Sequence, residues 1–148
     1  MNTYAIKVHV IDIAADEWKF DAQKTMYEGK KIKPGDKIFV FNSENEGGQG
    51  LIAVGSVVAA QACRLVAGAD RQTPRVSIVV RRTGLATRAL GRSELRSFAS
   101  WNDGRPETEL NFKLYRQATN KIVGVSEAAA TFLEGCVGDT VSENRQAL

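Results

Sequence analysis

Residues 34 to 58 restrict the fold more than any other stretch, because they read as turn, strand, polar gap and strand in that order. Pro34-Gly35-Asp36 is a turn: proline presets φ for an early turn position and glycine accepts the one that follows. Lys37 to Phe41 is short, apolar and rich in β-branched and aromatic residues, which suits a strand. Asn42 to Gly50 contains no apolar residue, so it is expected at the surface. Leu51 to Ala60 is a second strand with Gly55 in its interior, where a glycine marks a bulge or the close approach of another backbone.

The rest of the chain supplies partners for this hairpin. Tyr4 to Ile11 sets Tyr4, Ile6, Val8 and Val10 against Ala5, Lys7, His9 and Ile11, a strand pattern. Asp16 to Tyr27 is predicted to be a helix, with acids at its start and Trp18, Ala22 and Met26 spaced by four. Gln61 to Leu65 extends the second strand and Ala67 to Thr73 is a loop. Arg75 to Arg82 is a strand whose middle, Val76 to Val80, reads as buried on both faces. Leu85 to Leu90 is a helical turn or an extended link. Ser93 to Phe98 suits a short helix, and Trp101 to Pro106 is a loop. Glu109 to Gln117 alternates as a half-buried strand, with Leu110, Phe112 and Leu114 on one face. Lys121 to Val125 is one more strand. Ser126 caps a helix over Glu127 to Glu134 that turns Ala130 and Leu133 inward, and Gly135 ends it. Residues 1–138 then form one domain and 139–148 a polar tail. Five or six strands with three short helices are too strand-rich for a βαβ series. The expected class is α+β: a strongly bent antiparallel or mixed sheet, closed or nearly closed into a barrel with peripheral helices.

A chain of 148 residues buries roughly 70% of its unfolded surface, enough to stand without a metal or a disulfide. Cys63 and Cys136 fit reduced thiols in a cytosolic protein. The N-terminus lacks the pattern of a signal peptide, and no apolar run approaches the ~20 residues of a membrane span. A cytoplasmic location is therefore expected.

Chemistry is sparse. His9 is the only histidine, so a Ser-His-Asp or Cys-His site has one candidate base. Three histidines and cysteines, far apart, do not make a zinc site of about four ligands. No metal site, cofactor site or catalytic set emerges. Gly47-Gly48-Gln49-Gly50 lacks the following lysine of a phosphate loop. It is either a loop that needs positive φ or a run of backbone N–H groups facing a ligand. Residues 64 to 105 hold nine arginines, no lysine and three acids, a local net charge of +6 within an overall +3. That segment is either a solvated surface or a set of planar contacts to phosphate. A binding constellation remains. Phe41, Asn42 and Ser43 end a strand where a loop opens, so an aromatic face stands beside polar atoms that can bond a base edge. Trp18 is either core or pocket rim, and Trp101 stands in a polar loop. Arg81, Arg82 and Arg88 are the candidate phosphate contacts.

Three segments, Tyr4-Ala5-Ile6-Lys7, Lys33-Pro34-Gly35-Asp36-Lys37-Ile38-Phe39-Val40-Phe41-Asn42-Ser43 and Gly50-Leu51-Ile52-Ala53-Val54-Gly55-Ser56-Val57, together resemble the PUA-like superfamily and most of all its EVE branch. The closing Ser-Glu-Ala-Ala-Ala-Thr-Phe-Leu at 126 to 133 continues the order. The resemblance implies a bent barrel with a pocket on one side. It also implies that a base, modified in the EVE and YTH branches, is flipped between aromatic walls. Phe41, Asn42 and Ser43 fill the strand-end positions, and Lys7 matches the lysine of the first strand. The EVE Lys-x-Glu-Pro is here Lys7-Val8-His9-Val10, and Trp-x-Gly-Val-Arg-Asn is replaced by the shorter Met26-Tyr27-Glu28-Gly29. The Gly-x-Lys-x-x-Glu-x-Arg signature of the ASCH branch is absent. The expected pocket comprises Phe41, Asn42, Ser43, Trp18, Trp101, Lys7 and His9. The expected partner is DNA or RNA, a modified base included. The alternatives are a PUA-like domain that binds a nucleoside or small molecule, or hydrolyses one with His9, Lys7 and an acid moving the proton, and a protein-interaction module.

Overall fold

Seven strands carry the architecture in a computed structural model that describes residues 2–65, 67–68 and 72–139. They are β1 (Thr3–Val8), β2 (Glu17–Met26), β3 (Lys37–Asn42), β4 (Gly50–Ala62), β5 (Arg75–Ala86), β6 (Lys121–Gly124) and β7 (Val137–Asp139). The helices are α1 (Arg92–Leu95), α2 (Pro106–Leu110) and α3 (Glu127–Glu134), and a π-helical segment, Asn111–Tyr115, continues α2. The sheet order is β2-β6-β1-β3-β4-β5-β7, and a β2–β5 pairing closes the first six strands into a barrel. β1/β3 and β2/β6 run parallel and the other pairs antiparallel. The expected bent mixed barrel with peripheral helices is present, with β7 as an added strand along β5.

The β1–β3 wall is buried on both faces, and this creates two cores. Tyr4, Ile6 and Val8 of β1, with Ile38 and Val40 of β3, point into the barrel against Trp18, Phe20, Ile78, Val80 and Ile122. Ala5, Phe39 and Phe41 point outward beneath Leu95, Leu110, Leu114 and Leu133 of the helices. Directly opposed strand residues share a face, so the pairings Ala5↔Phe39, Lys7↔Phe41 and Lys7↔Lys121 put both lysines in the outward row.

Two predicted elements change type. Residues 17–26 form a strand rather than a helix. Trp18 and Phe20 are buried between exposed Glu17, Lys19 and Asp21, a period of two. A bulge after Phe20, with Ala22 at φ 48°, then shifts the phase so that Thr25 is buried. The spacing of four at Trp18, Ala22 and Met26 is not one face here: Ala22 is exposed, Trp18 packs inside the barrel and Met26 against the outer core. Residues 106–115 are helical rather than a strand. Pro106 opens the helix with Glu107 and Glu109 in its first turn, and Leu110, Asn111 and Leu114 form the buried stripe. Phe112 is only half-buried.

Smaller corrections follow from burial. Val76, Ile78 and Val80 are buried while Ser77 and Val79 are half-buried, so β5 has one core face. In α3 the inward residues are Ala129 and Leu133, not Ala130, and Ser126 Oγ accepts the Ala129 N–H as expected. The polar 42–50 loop is not wholly at the surface, because Ser43 is fully buried. Residues 69–71 of the predicted loop and 140–148 of the predicted tail lie outside the described residues.

Gly55 meets both expectations for a strand glycine. The β4–β5 register shifts between Val54 and Gly55. A Cβ there would lie 2.6 Å from the Arg81 carbonyl oxygen and 2.5 Å from Val80 Cγ1. Gly55→Ala is expected to lower stability by about 1–3 kcal/mol through overpacking, read as a shift of the urea midpoint at unchanged slope.

Candidate functional site

The end of the outward row, where β1 and β6 run out beside the loop after β3, gathers polar groups in a place that packing alone would fill with apolar ones. Lys7 is fully buried, and its Nζ has no hydrogen-bond partner among the described residues. Its ammonium lies 5.1 Å from the centroid of the Tyr115 ring. Ser43 is also fully buried, and its Oγ has no hydrogen-bond partner among the described residues. The backbone fixes Ser43 next to β1, since its N–H donates to the Val8 carbonyl at 2.9 Å. Its own carbonyl accepts the Gly48 N–H at 2.8 Å in a loop whose Gly47 and Gly50 take φ of 88° and 89°. Lys121, 2% exposed, donates to the Thr119 carbonyl at 2.8 Å and the Gln117 carbonyl at 3.4 Å. Asn120 Oδ1 is a third buried polar atom without a partner.

Glu44 and Tyr115 roof this cluster. The Tyr115 hydroxyl donates to Glu44, at 3.0 and 3.1 Å from its two oxygens, and Glu44 also accepts the Arg92 backbone N–H at 2.6 Å. Arg92 Nη2 donates to Asn45 Oδ1 at 2.6 Å, and Asn45 donates to the Ala118 carbonyl at 3.0 Å. The roof therefore ties the 43–46 turn, the π-helical segment and α1 together.

The electrostatics follow from burial. Desolvation, aided by the Arg92 charge, holds the Lys7 amine below its ordinary value. Burial and the nearby Lys7 lower Lys121 to about 8. Burial and the Glu44 carboxylate raise the Tyr115 phenol. Among the described residues the cluster thus holds two buried donors without acceptors, Lys7 Nζ and Ser43 Oγ, and one buried acceptor without a donor, Asn120 Oδ1. An incoming carbonyl, ring nitrogen or anionic oxygen satisfies the donors, because an unpaired buried donor is the costly state.

Of the residues expected in one pocket, Lys7 and Ser43 are both fully buried where β1 and β3 end side by side, with the Ser43 N–H on the Val8 carbonyl. Asn42 adjoins Ser43, but its Oδ1 is used to accept the Val10 N–H at 2.9 Å. His9 lies at the rim, half-exposed, with Nδ1 3.5 Å from Glu46. Phe41 is fully buried in the outer core, so its ring has no free face to offer a base as folded. Trp18 lies inside the barrel, across the sheet wall from Phe41, with Nε1 donating to the Asp12 carbonyl at 2.8 Å. Side chains on opposite faces of one wall cannot line one cavity. Trp101 is 43% exposed and packs against Phe112 instead. Arg81 pairs with Glu17 at 3.7 Å and Arg82 with Asp16 at 2.9 Å, while Arg88 lies 5.7 Å from the Phe132 ring. Tyr115, Glu44, Lys121, Asn120 and Arg92 were not foreseen. The available signal was a lysine at each of two apolar strand positions, Lys7 and Lys121.

No family model matches the sequence, and no curated protein matches it. Solved structures do match. The human THYN1 protein in complex with 5-methylcytosine-containing DNA superposes with a TM-score of 0.63 at 13% identity, over 90% of this chain and 95% of that one. The DUF55 domain of human thymocyte nuclear protein 1 gives 0.61 at 13% identity, over 88% and 95%. A hypothetical protein from Leishmania major gives 0.57 at 15%, over 99% and 97%. The fold is that of a PUA-like EVE domain.

The lowered Lys121 fixes a pH dependence. Its folded amine loses its proton near 8, whereas an unfolded lysine keeps one to about 10.5. Between those values the unfolded chain binds more protons, so this residue's contribution to stability rises with pH. The stability of the parent relative to Lys121→Met is expected to increase from pH 8 to 10, measured by urea unfolding of both.

Proposed function

We propose that the chain is a nucleic-acid-binding module and that the Lys7–Ser43 site takes the edge of a base, a modified base included. The observation that carries this reading is Lys7: a fully buried lysine whose Nζ has no hydrogen-bond partner among the described residues and lies against the Tyr115 ring. Lys7 Nζ and Ser43 Oγ would donate to the ring nitrogen and carbonyl acceptors that bases present. Glu44 would accept from an exocyclic amine, the pairing that carboxylates make with cytosine. Tyr115 takes the stacking role first assigned to Phe41, and entry requires it to swing from its bond to Glu44. Arg81, Arg82 and Arg88 remain candidate phosphate contacts, after exchanging their present partners. The capture of a 5-methylcytosine DNA by the THYN1 protein, on the same fold, supports a methylated cytosine among the probes.

The test separates binding from folding. Lys7→Met keeps the length of the side chain and removes a buried amine without a partner, so the variant is expected to be as stable as the parent or more so. Its affinity for single-stranded DNA or RNA, with and without 5-methylcytosine, is expected to fall about 10- to 100-fold, the worth of a charge-assisted hydrogen bond. Ser43→Ala is expected to lose less. Fluorescence anisotropy measures both, and log affinity of the parent is expected to fall linearly with log salt. Unchanged binding by Lys7→Met overturns the site.

A further inference from the structure

A second surface, outside the Lys7 cluster, combines exposed aromatic rings with cations. Phe112 stands at its centre, on the π-helical segment. Its ring is 6.0 Å from Tyr27 at 61° and 5.3 Å from Trp101 at 71°, so the three rings form a continuous edge-to-face strip. The Arg116 guanidinium lies over two of them, 4.7 Å from Phe112 and 6.0 Å from Trp101, and Lys113 Nζ lies 5.4 Å from Tyr27. Tyr27 and Trp101 are 38% and 43% exposed. Open cavities flank the strip. One of about 410 Å³ is lined by Tyr27, Lys31 and Lys113, and one of about 330 Å³ by Trp101, Arg105 and Phe112.

The backbone holds this arrangement at some cost. Tyr27 and Glu28 take φ of 50° and 69°, a region that side-chain-bearing residues rarely adopt. The Gly124 N–H donates to the Tyr27 carbonyl at 2.9 Å and locks the turn. The π-helical segment widens the helix by one residue, a feature common at functional sites. It sends Phe112 to the strip and Tyr115 to the roof of the Lys7 site.

We propose that this strip is a stacking platform for single-stranded nucleic acid, on either side of the base held at Lys7. The inference rests on the nucleic-acid reading and extends it. Bases stack on aromatic faces and on guanidinium planes regardless of sequence. Lys113 is paired with Glu109 at 3.1 Å and Lys31 with Glu28 at 2.6 Å. Arg116 forms no ion pair among the described residues, so its charge is available to phosphates, whereas Arg105 sits beside the Asp103 carboxylate that accepts its backbone N–H. Arg116 follows Tyr115 in the chain, so one helical segment carries both the strip and the roof of the Lys7 site.

The experiment compares the parent, Trp101→Ala, Arg116→Gln and Lys7→Met. The probes are a single-stranded DNA and an RNA of about eight nucleotides, within the range such platforms cover, and 5-methylcytidine monophosphate. Both strip substitutions lie at exposed positions, so folding is retained, as circular dichroism checks. Trp101→Ala and Arg116→Gln are expected to weaken octamer binding about 10-fold or more and to leave the mononucleotide unaffected, whereas Lys7→Met weakens both. Octamer binding unchanged in both strip variants, with Lys7→Met still weakened, overturns the platform and leaves the base site standing. Equal losses for octamer and mononucleotide also overturn it, since the strip then acts only through the base site. A parent that binds neither oligonucleotide overturns the nucleic-acid reading and the platform with it. Preference for DNA or for RNA identifies the strand without altering the assignment.

Discussion

A lysine buried on a wall with two packed faces is the constraint around which this molecule is arranged. β1 and β3 contribute one row of side chains to the barrel interior and the other to a core beneath the helices. A wall of that kind has no water-facing side, so a charged side chain in either row loses its hydration. Lys7 stands in the outer row, paired across the sheet with Phe41 and Lys121. The surroundings answer with a roof of Tyr115, Glu44 and Arg92 but give Lys7 Nζ no hydrogen bond. Replacing the amine with an apolar group would relieve that penalty, and this is the ground on which a ligand is proposed there.

The sequence was most legible where local chemistry decides. The turn at Pro34-Gly35-Asp36, β3, β4 with its glycine and the Ser126 cap all follow from residues next to one another. It was least legible where residues can be read with either period. Trp18, Ala22 and Met26 fit a helix on paper, but in the strand a bulge after Phe20 leaves Ala22 exposed and turns Trp18 and Met26 to different cores. Leu110, Phe112 and Leu114 alternate like a strand, while Leu110 and Leu114 also lie four apart, and the Pro106 start decides for the helix.

The candidate site was half legible for a different reason. Ser43 was reached from the strand end that opens into a loop, and Lys7 through a resemblance to EVE domains with which the fold agrees. Phe41 and Trp18 read alike in sequence, as aromatics at strand or helix edges, yet they lie on opposite faces of one wall. Only the closed barrel reveals that. Tyr115 was unavailable to sequence reasoning because its segment was assigned to a strand. Once that segment is a π-helix, Phe112 and Arg116 fall on the aromatic strip and Tyr115 on the roof over Lys7. On the proposed reading, a ligand reaching Lys7 would exchange the Tyr115–Glu44 bond as it enters.

The central claim, that Lys7 donates to an acceptor brought by a nucleic acid, is tested most directly by titrating the Lys7 side chain by carbon-13 NMR at its ε-methylene, with Lys7→Met to assign the signal. In the free protein the amine is expected to titrate below an ordinary lysine, since burial disfavours its charge. With a saturating single-stranded oligonucleotide containing 5-methylcytosine, a hydrogen bond to the charged form is expected to raise that value. A Lys7 titration that is identical with and without the bound oligonucleotide would contradict the account.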